Sequence, residues 1–132
     1  MKKFIVLLTV FSAFLIFSIG CSKQDKDKYY TAKEKAKEVI KLTNERNFDE
    51  IKNRSTDFTK NALTDEVINS QVKVYLDSFG SFKEILSQDV TIYKVENKDY
   101  VLVTSKVNYD NGEIIFKISF DKDWKMFDYF IK

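Results

Sequence analysis

Residues 100–120 read YVLVTSKVNYDNGEIIFKISF, and this stretch decides the fold. Ile114, Phe116, Ile118 and Phe120 alternate with Glu113, Ile115, Lys117 and Ser119. That two-residue period belongs to a strand with one buried face. Tyr100 to Tyr109, rich in Val, reads as the strand before it. Between them Asp110-Asn111-Gly112 signals a hairpin, because Asn-Gly accepts the positive φ angles of a tight turn. Downstream, Asp121-Lys122-Asp123 turns the chain into a last strand from Trp124 to Ile131. Upstream, Phe82 to Glu96 is a long or broken strand with Val90, Ile92 and Tyr93 in its second half. Four strands joined by short turns make an antiparallel meander.

Before Ser81 the period is helical. Thr64 caps a helix whose Asp65 and Glu66 suit its positive N-terminal dipole. Ile68, Val72, Tyr75, Leu76 and Phe79 share one face of it, and Gly80 stops it. Farther upstream, Thr31 with Glu34 forms a capping-box pattern that starts a first helix, with Ala36, Val39, Ile40 and Thr43 on its apolar face. Asn44 to Asn47 break it, and Phe48-Asp49-Glu50-Ile51 is a short second helix, with Phe48, Ile51 and Phe58 expected under the core. Runs of helices followed by runs of strands indicate an α+β domain over residues 31–132.

The first thirty residues say where that domain works. Lys2 and Lys3 precede an uncharged apolar run from Phe4 to Ile19, then Gly20-Cys21 and a polar stretch. A positive start, an apolar core and a small residue at the cut make a secretory signal over residues 1–20. A cysteine straight after the small residue makes it the lipoprotein kind, in which the Cys21 thiol takes a diacylglycerol and becomes the mature N-terminus. Ser18 stands where such signals most often carry Leu. The rival readings are weaker. A transmembrane helix needs about 20 apolar residues and this run is shorter, while an ordinary signal would leave Cys21 a lone thiol in an oxidising compartment. Residues 21–30 then form the lipidated Cys and a polar tether. The expected location is the extracytoplasmic face of a cell membrane. Richness in Lys, Asn, Ile, Tyr and Phe points to an AT-rich genome and a Gram-positive source.

Removing Lys2 and Lys3 leaves 20 basic and 20 acidic residues, so the mature chain is near neutral. Neutrality argues against nucleic acid as partner, since phosphate binding needs Lys and Arg concentrated on one face. The chain has no His and three Gly, which removes the usual neutral-pH base, the zinc helices and the phosphate-cradling loops. No metal or cofactor is expected. Asp121-x-Asp123 lacks the further acid and the Gly of a calcium loop and reads as a turn.

Helices first and a curled meander second resemble the cone-shaped fold of the nuclear-transport-factor-2-like superfamily, to which ketosteroid isomerase and scytalone dehydratase belong. More narrowly, the chain is similar to a small bacterial family within it, often found on Gram-positive lipoproteins. The matching pieces are Asn47-Phe48-Asp49-Glu50-Ile51, Phe58-Thr59-Lys60-Asn61-Ala62-Leu63-Thr64, Phe79-Gly80-Ser81-Phe82-Lys83-Glu84-Ile85, Tyr100-Val101-Leu102-Val103 and Ile118-Ser119-Phe120-Asp121-Lys122-Asp123. They are packing and turn patterns, and Trp124 stands where the turn would carry Gly. The resemblance implies a cone that can enclose an apolar pocket, and an anchored location, without an agreed activity.

Within that cone Asp128 is the weak candidate for a general base. It shares a strand face with Met126 and Phe130; if these point inward Asp128 does too, and a carboxylate buried there would be costly unless paired or functional. The favoured alternative is that the strand twists or sits at an edge and leaves Asp128 in water. Tyr75 and Tyr93 are the candidate pocket hydroxyls. The expected function is a membrane-anchored, non-catalytic binding domain for a protein or a small apolar ligand. Self-association is expected on the outer sheet face through Val101, Val103 or Ile115. The alternative is a small isomerase- or dehydratase-like enzyme with Asp128 as base and a Tyr as acid.

Overall fold

The computed structural model of the chain describes residues 23–132, with side chains from Asp25 onward. The residues expected to form a signal, 1–20, and the lipidation candidate Cys21 lie outside them. Two compact units divide between Tyr30 and Thr31.

Helix α1 runs from Lys23 to Asn44 without a break. Thr31 and Glu34 therefore lie inside it and are not a cap, and residues 23–30, expected as a coil tether, are helical. Lys and Gln are good helix formers, and Asp25 in the first turn suits the helix dipole. In the second unit Ala32, Ala36, Val39, Ile40 and Thr43 make the buried stripe of α1. Arg46, at φ 60°, ends the turn after α1 in the left-handed region. Asn47 then caps helix α2 (Phe48–Asn53), its side-chain oxygen accepting from the Glu50 N–H at 3.3 Å. Phe48 and Ile51 are buried as expected.

Thr56 caps a helix that sequence reading missed, α3 (Asp57–Ala62). Phe58 sits in its first turn and is 76% exposed, so it is outside the core. Thr64 does cap the next helix, accepting from the Val67 N–H at 3.2 Å. That helix is built from α4 (Asp65–Val67), a π-helical segment (Ile68–Lys73) and α5 (Val74–Phe79). The wider π turn keeps Ile68, Val72 and Leu76 on one buried side.

The sheet has the order β1-β2-β3-β4, all antiparallel, over β1 (Phe82–Val95), β2 (Lys98–Tyr109), β3 (Gly112–Phe120) and β4 (Met126–Ile131). Tyr109 pairs with Gly112, so the tight turn between β2 and β3 is Asp110-Asn111. Only Gly112 there has a positive φ, at 144°. The turn with two left-handed residues is the other one, Glu96 (φ 50°) and Asn97 (φ 65°), between β1 and β2. The Asp110-Asn111 tip docks on the end of α5. The Asn111 N–H donates to the Phe79 carbonyl at 3.0 Å, and Asp110 Oδ2 accepts from the Ser81 N–H at 2.9 Å. A Cβ on Gly80 (φ 81°) would lie 2.9 Å from the Asp110 Cβ, which requires glycine at this junction. Trp124 takes φ 61°, so the left-handed turn expected of a Gly is kept with a bulky residue, whose ring packs 6.0 Å from Phe120.

The register sorts the two faces. Val101 opposes Phe120, Val103 opposes Ile118 and Val107 opposes Ile114, and all of these are buried under the helices. Val101 and Val103 therefore cannot form an outer patch; Ile115 alone of the three expected residues lies on that face. Helix α1 spans the inner face. The Gln88 side chain on β1 donates to the Lys33 carbonyl at 3.2 Å, and Thr43 meets the Tyr129 hydroxyl on β4 at 2.6 Å. Burying a side chain such as Phe116 or Ile118 there contributes about 1.5–3 kcal/mol.

The β4 edge is covered. Arg54–Thr56 runs parallel to it, with the Met126 N–H donating to Arg54 at 2.8 Å and the Thr56 N–H to Met126 at 2.9 Å. Thr59 donates its hydroxyl to the Phe127 carbonyl. These ties accompany a register shift against Ser119 and Phe120, a bulge that turns the rest of the strand over.

Candidate functional site

The bulge decides the fate of Asp128. Met126 faces the core, and after the shift Tyr129 and Ile131 face it too, leaving Asp128 and Phe130 exposed on the outer side. The sequence pairing of Asp128 with Met126 on one face is therefore corrected. The Asp128 carboxylate accepts from the Tyr129 N–H at 2.9 Å and lies outside the cone. Tyr75 is half-buried on α5, its ring 4.8 Å from Phe79, and packs against the core.

Tyr93 also lies on the outer side, paired across the strands with Tyr100. Burial pushes its hydroxyl above the ordinary tyrosine value, against the lowering effect of a hydrogen bond with Ser119, and the nearby Asp128 charge adds to the rise. Two candidate residues thus converge, Tyr93 and Asp128 around Ser119, but on the convex face and not in an interior pocket. Tyr75 does not join them.

Two other tyrosines, which sequence reading passed over, hold the interior polar chemistry. The Tyr129 hydroxyl meets Thr43, whose own hydroxyl donates to the Val39 carbonyl at 2.9 Å. The Tyr109 hydroxyl donates to Asn44 Oδ1. Burial pushes Tyr109 up to about 12, opposed by the Arg46 charge and the Asn44 bond; burial raises Tyr129 as well, opposed chiefly by its bond to Thr43. Both are neutral hydrogen-bonding groups at physiological pH. They pin β2 and β4 to the end of α1, and no buried side-chain polar atom among the described residues lacks a partner.

A groove with aromatic walls lies on the outer side, at the end of the sheet that carries the Glu96-Asn97 turn. The Tyr93 and Tyr100 rings stack at 5.5 Å, and Tyr100 meets Phe127 at 4.4 Å. Tyr100 and Phe127 form one wall of a groove of about 560 Å³, with Phe58 on its rim and Lys98, Asp99 and Asp121 adding polar groups. The signal for this site lay in the register. Once the two-residue turn at Glu96-Asn97 pairs Tyr93 with Tyr100, the aromatics must stack. A second, polar cleft of about 290 Å³ lies beside the π turn, between Lys52, Asp65 and Lys73. Lys52 pairs there with Asp65 at 3.3 Å, and the Lys73 ammonium lies 5.8 Å from the centre of the Phe48 ring. Among the described residues no group of three His, Cys, Asp or Glu side chains is placed to hold a metal ion, and no helix is long and apolar enough to cross a membrane.

The architecture is shared. A protein of Ruminococcus gnavus ATCC 29149, solved by NMR, superposes with a TM-score of 0.68 at 25% identity, over 85% of this chain and 92% of that one. No curated protein matches the chain. The family of proteins of unknown function DUF3887 matches residues 36–128, from the buried stripe of α1 to β4. The chain belongs to the DUF3887 family.

Proposed function

We propose that this chain is a lipid-anchored extracytoplasmic binding module, held at the membrane by an acylated Cys21 and taking a small apolar ligand in the outer aromatic groove. One observation carries the reading. The interior tyrosine hydroxyls are engaged with Thr43 and Asn44 of α1, while Tyr100, Phe127 and an exposed Phe58 line a groove of about 560 Å³. That volume, with three aromatic side chains set among polar and charged groups, fits a small-molecule site. Proton abstraction by Asp128 loses its basis in a buried carboxylate, because that side chain is exposed. The helices-then-meander order supports the wider kinship with the nuclear-transport-factor-2-like cone.

The single tryptophan gives the test. Trp124 follows the Asp121-Lys122 turn that lines the groove, so it can pass excitation to anilinonaphthalene sulfonate bound there. The full chain in detergent should bind this probe with saturable energy transfer, and Phe127→Ala and Tyr100→Ala should each weaken binding about tenfold, the loss of one aromatic contact. Unchanged binding in both variants overturns the groove. For the anchor, radiolabelled palmitate should enter the wild-type chain and not Cys21→Ser; equal labelling overturns it.

A further inference from the structure

The two edges of the sheet are treated differently. Each residue pair along an edge strand turns one set of N–H and C=O groups outward, a template for another strand. On β4 these groups are met by Arg54–Thr56, by the Thr59 hydroxyl and by the Asp128 carboxylate. On β1, fourteen residues long, no other segment of the described residues pairs with the outer edge. Phe82, Leu86 and Val95 on this strand are 43%, 43% and 44% exposed. Two register shifts, between Phe82 and Glu84 and between Ile85 and Ser87, disturb the start of the strand, and from Ser87 to Val95 its pairing with β2 is regular. Over that regular part the devices that blunt a free edge are sparse: the chain has no proline, and between Ile85 and Tyr93 the one charged side chain is Asp89.

We infer that β1 pairs antiparallel with β1 of a second copy, about a two-fold axis at Thr91, so that the two sheets run on into each other. The register follows from the fold. The two-residue Glu96-Asn97 turn closes on the Val95–Lys98 pair, so counting back by twos Tyr93, Thr91 and Asp89 turn their backbone groups to β2. Ile92 and Val90 turn theirs outward. A two-fold axis perpendicular to the sheet keeps inner residues opposite inner ones. Centred on Thr91, it sets Val90 against Ile92 of the other copy twice, Lys94 against Gln88 and Asp89 against Tyr93, with no like charges facing. Centred on Asp89 it would oppose two carboxylates, and centred on Ile92 it would oppose Lys94 to Val90. Charge and hydrophobic matching therefore select a second copy, in this register. The inference is independent of what the groove holds.

Thr91 would face its own copy as a non-hydrogen-bonded pair with Cα atoms about 4.5 Å apart, within disulfide reach. In the full chain, kept in its membrane and mildly oxidised, Thr91→Cys should convert most of the protein to a disulfide-linked dimer. Wild type serves as reference for any bond through Cys21. Thr104→Cys, on the same face but on β2, should stay uncrosslinked. Thr91→Lys, which sets like charges face to face, should raise the dimer dissociation constant at least tenfold while the circular dichroism of the folded chain holds. A Thr91→Cys chain that does not crosslink and is monomeric by light scattering overturns the inference. So does a dimer that crosslinks through Ile115→Cys on the outer face, or Thr91→Cys trapping only a strand of a different protein.

Discussion

The β4 edge and the β1 edge of one sheet show two solutions to the same problem. β4 is six residues long, bulged and tied down from both sides, by Arg54–Thr56 at its edge and by Thr43 through the Tyr129 hydroxyl from beneath. β1 is fourteen residues long, irregular only near its start, and is held along one side. Stability accordingly concentrates at β4, where a residue lost disturbs several elements. Capacity for association concentrates at β1, where backbone groups remain unused. A short strand stitched to distant segments is a structural element; a long strand attached to one neighbour is an adhesive one.

This contrast is open to attack in order of size. Met126, fully buried and the link between β4 and Arg54–Thr56, should show the largest effect. Met126→Ala should destabilise by about 3 kcal/mol in urea titration, against less than about 0.5 kcal/mol for Leu86→Ala on β1. Equal losses at the two sites would erase the distinction. Next is an alkaline effect. Tyr109 is raised from 10.0 to about 12 and Tyr129 is raised too, in both cases by burial that disfavours the charged phenolate. The unfolded chain ionises first, so the contribution is complete below about pH 10 and is lost as pH rises toward 12. Stability measured over that window should fall steeply in wild type and less in Tyr109→Phe combined with Tyr129→Phe; parallel slopes would remove these hydroxyls from the account.

Third, Thr59→Val keeps the shape of the side chain but leaves the Phe127 carbonyl without its donor, at about 1–2 kcal/mol. A neutral result by thermal melting would mean that the bulge needs no fastening. The smallest effect is in the turn that follows β1. Glu96→Gly relieves a left-handed backbone at φ 50° and should stabilise by up to about 1 kcal/mol. A loss would show that the Glu96 side chain, and not its backbone, holds the turn.

The meander, the Thr64 cap, the Gly80 stop and the Asp110-Asn111-Gly112 turn were legible because each is local: a period, a cap, a turn residue. The inward face of Val101 and Val103 was legible in principle too, since a two-residue turn fixes which residues oppose Ile114 to Phe120. An edge position that leaves Asp128 in water was legible as well; the bulge that produces it was not. Its strand alternates in sequence, and only contacts from Thr59 and Ser55, roughly seventy positions earlier, accompany the bulge that reverses the alternation. The start of α1 was misplaced for the opposite reason. A capping pattern at Thr31 was present but had no helix end to cap, because the residues before it are themselves good helix formers. The stacked Tyr93, Tyr100 and Phe127 were invisible for want of register, while the residues themselves were in plain view.

The bond between Thr43 and Tyr129 closes a loop of 86 residues, whereas every strand pair in the meander joins neighbours in the chain. Short closures are entropically cheap and fast, and long ones wait for structure already in place. The sheet can therefore zip up from the Glu96-Asn97 turn before α1 and β4 find each other. During that interval the chain has two bare edges instead of one. A chain close to other copies would meet its greatest risk of mispairing then, and would leave that state only when its last six-residue strand docks.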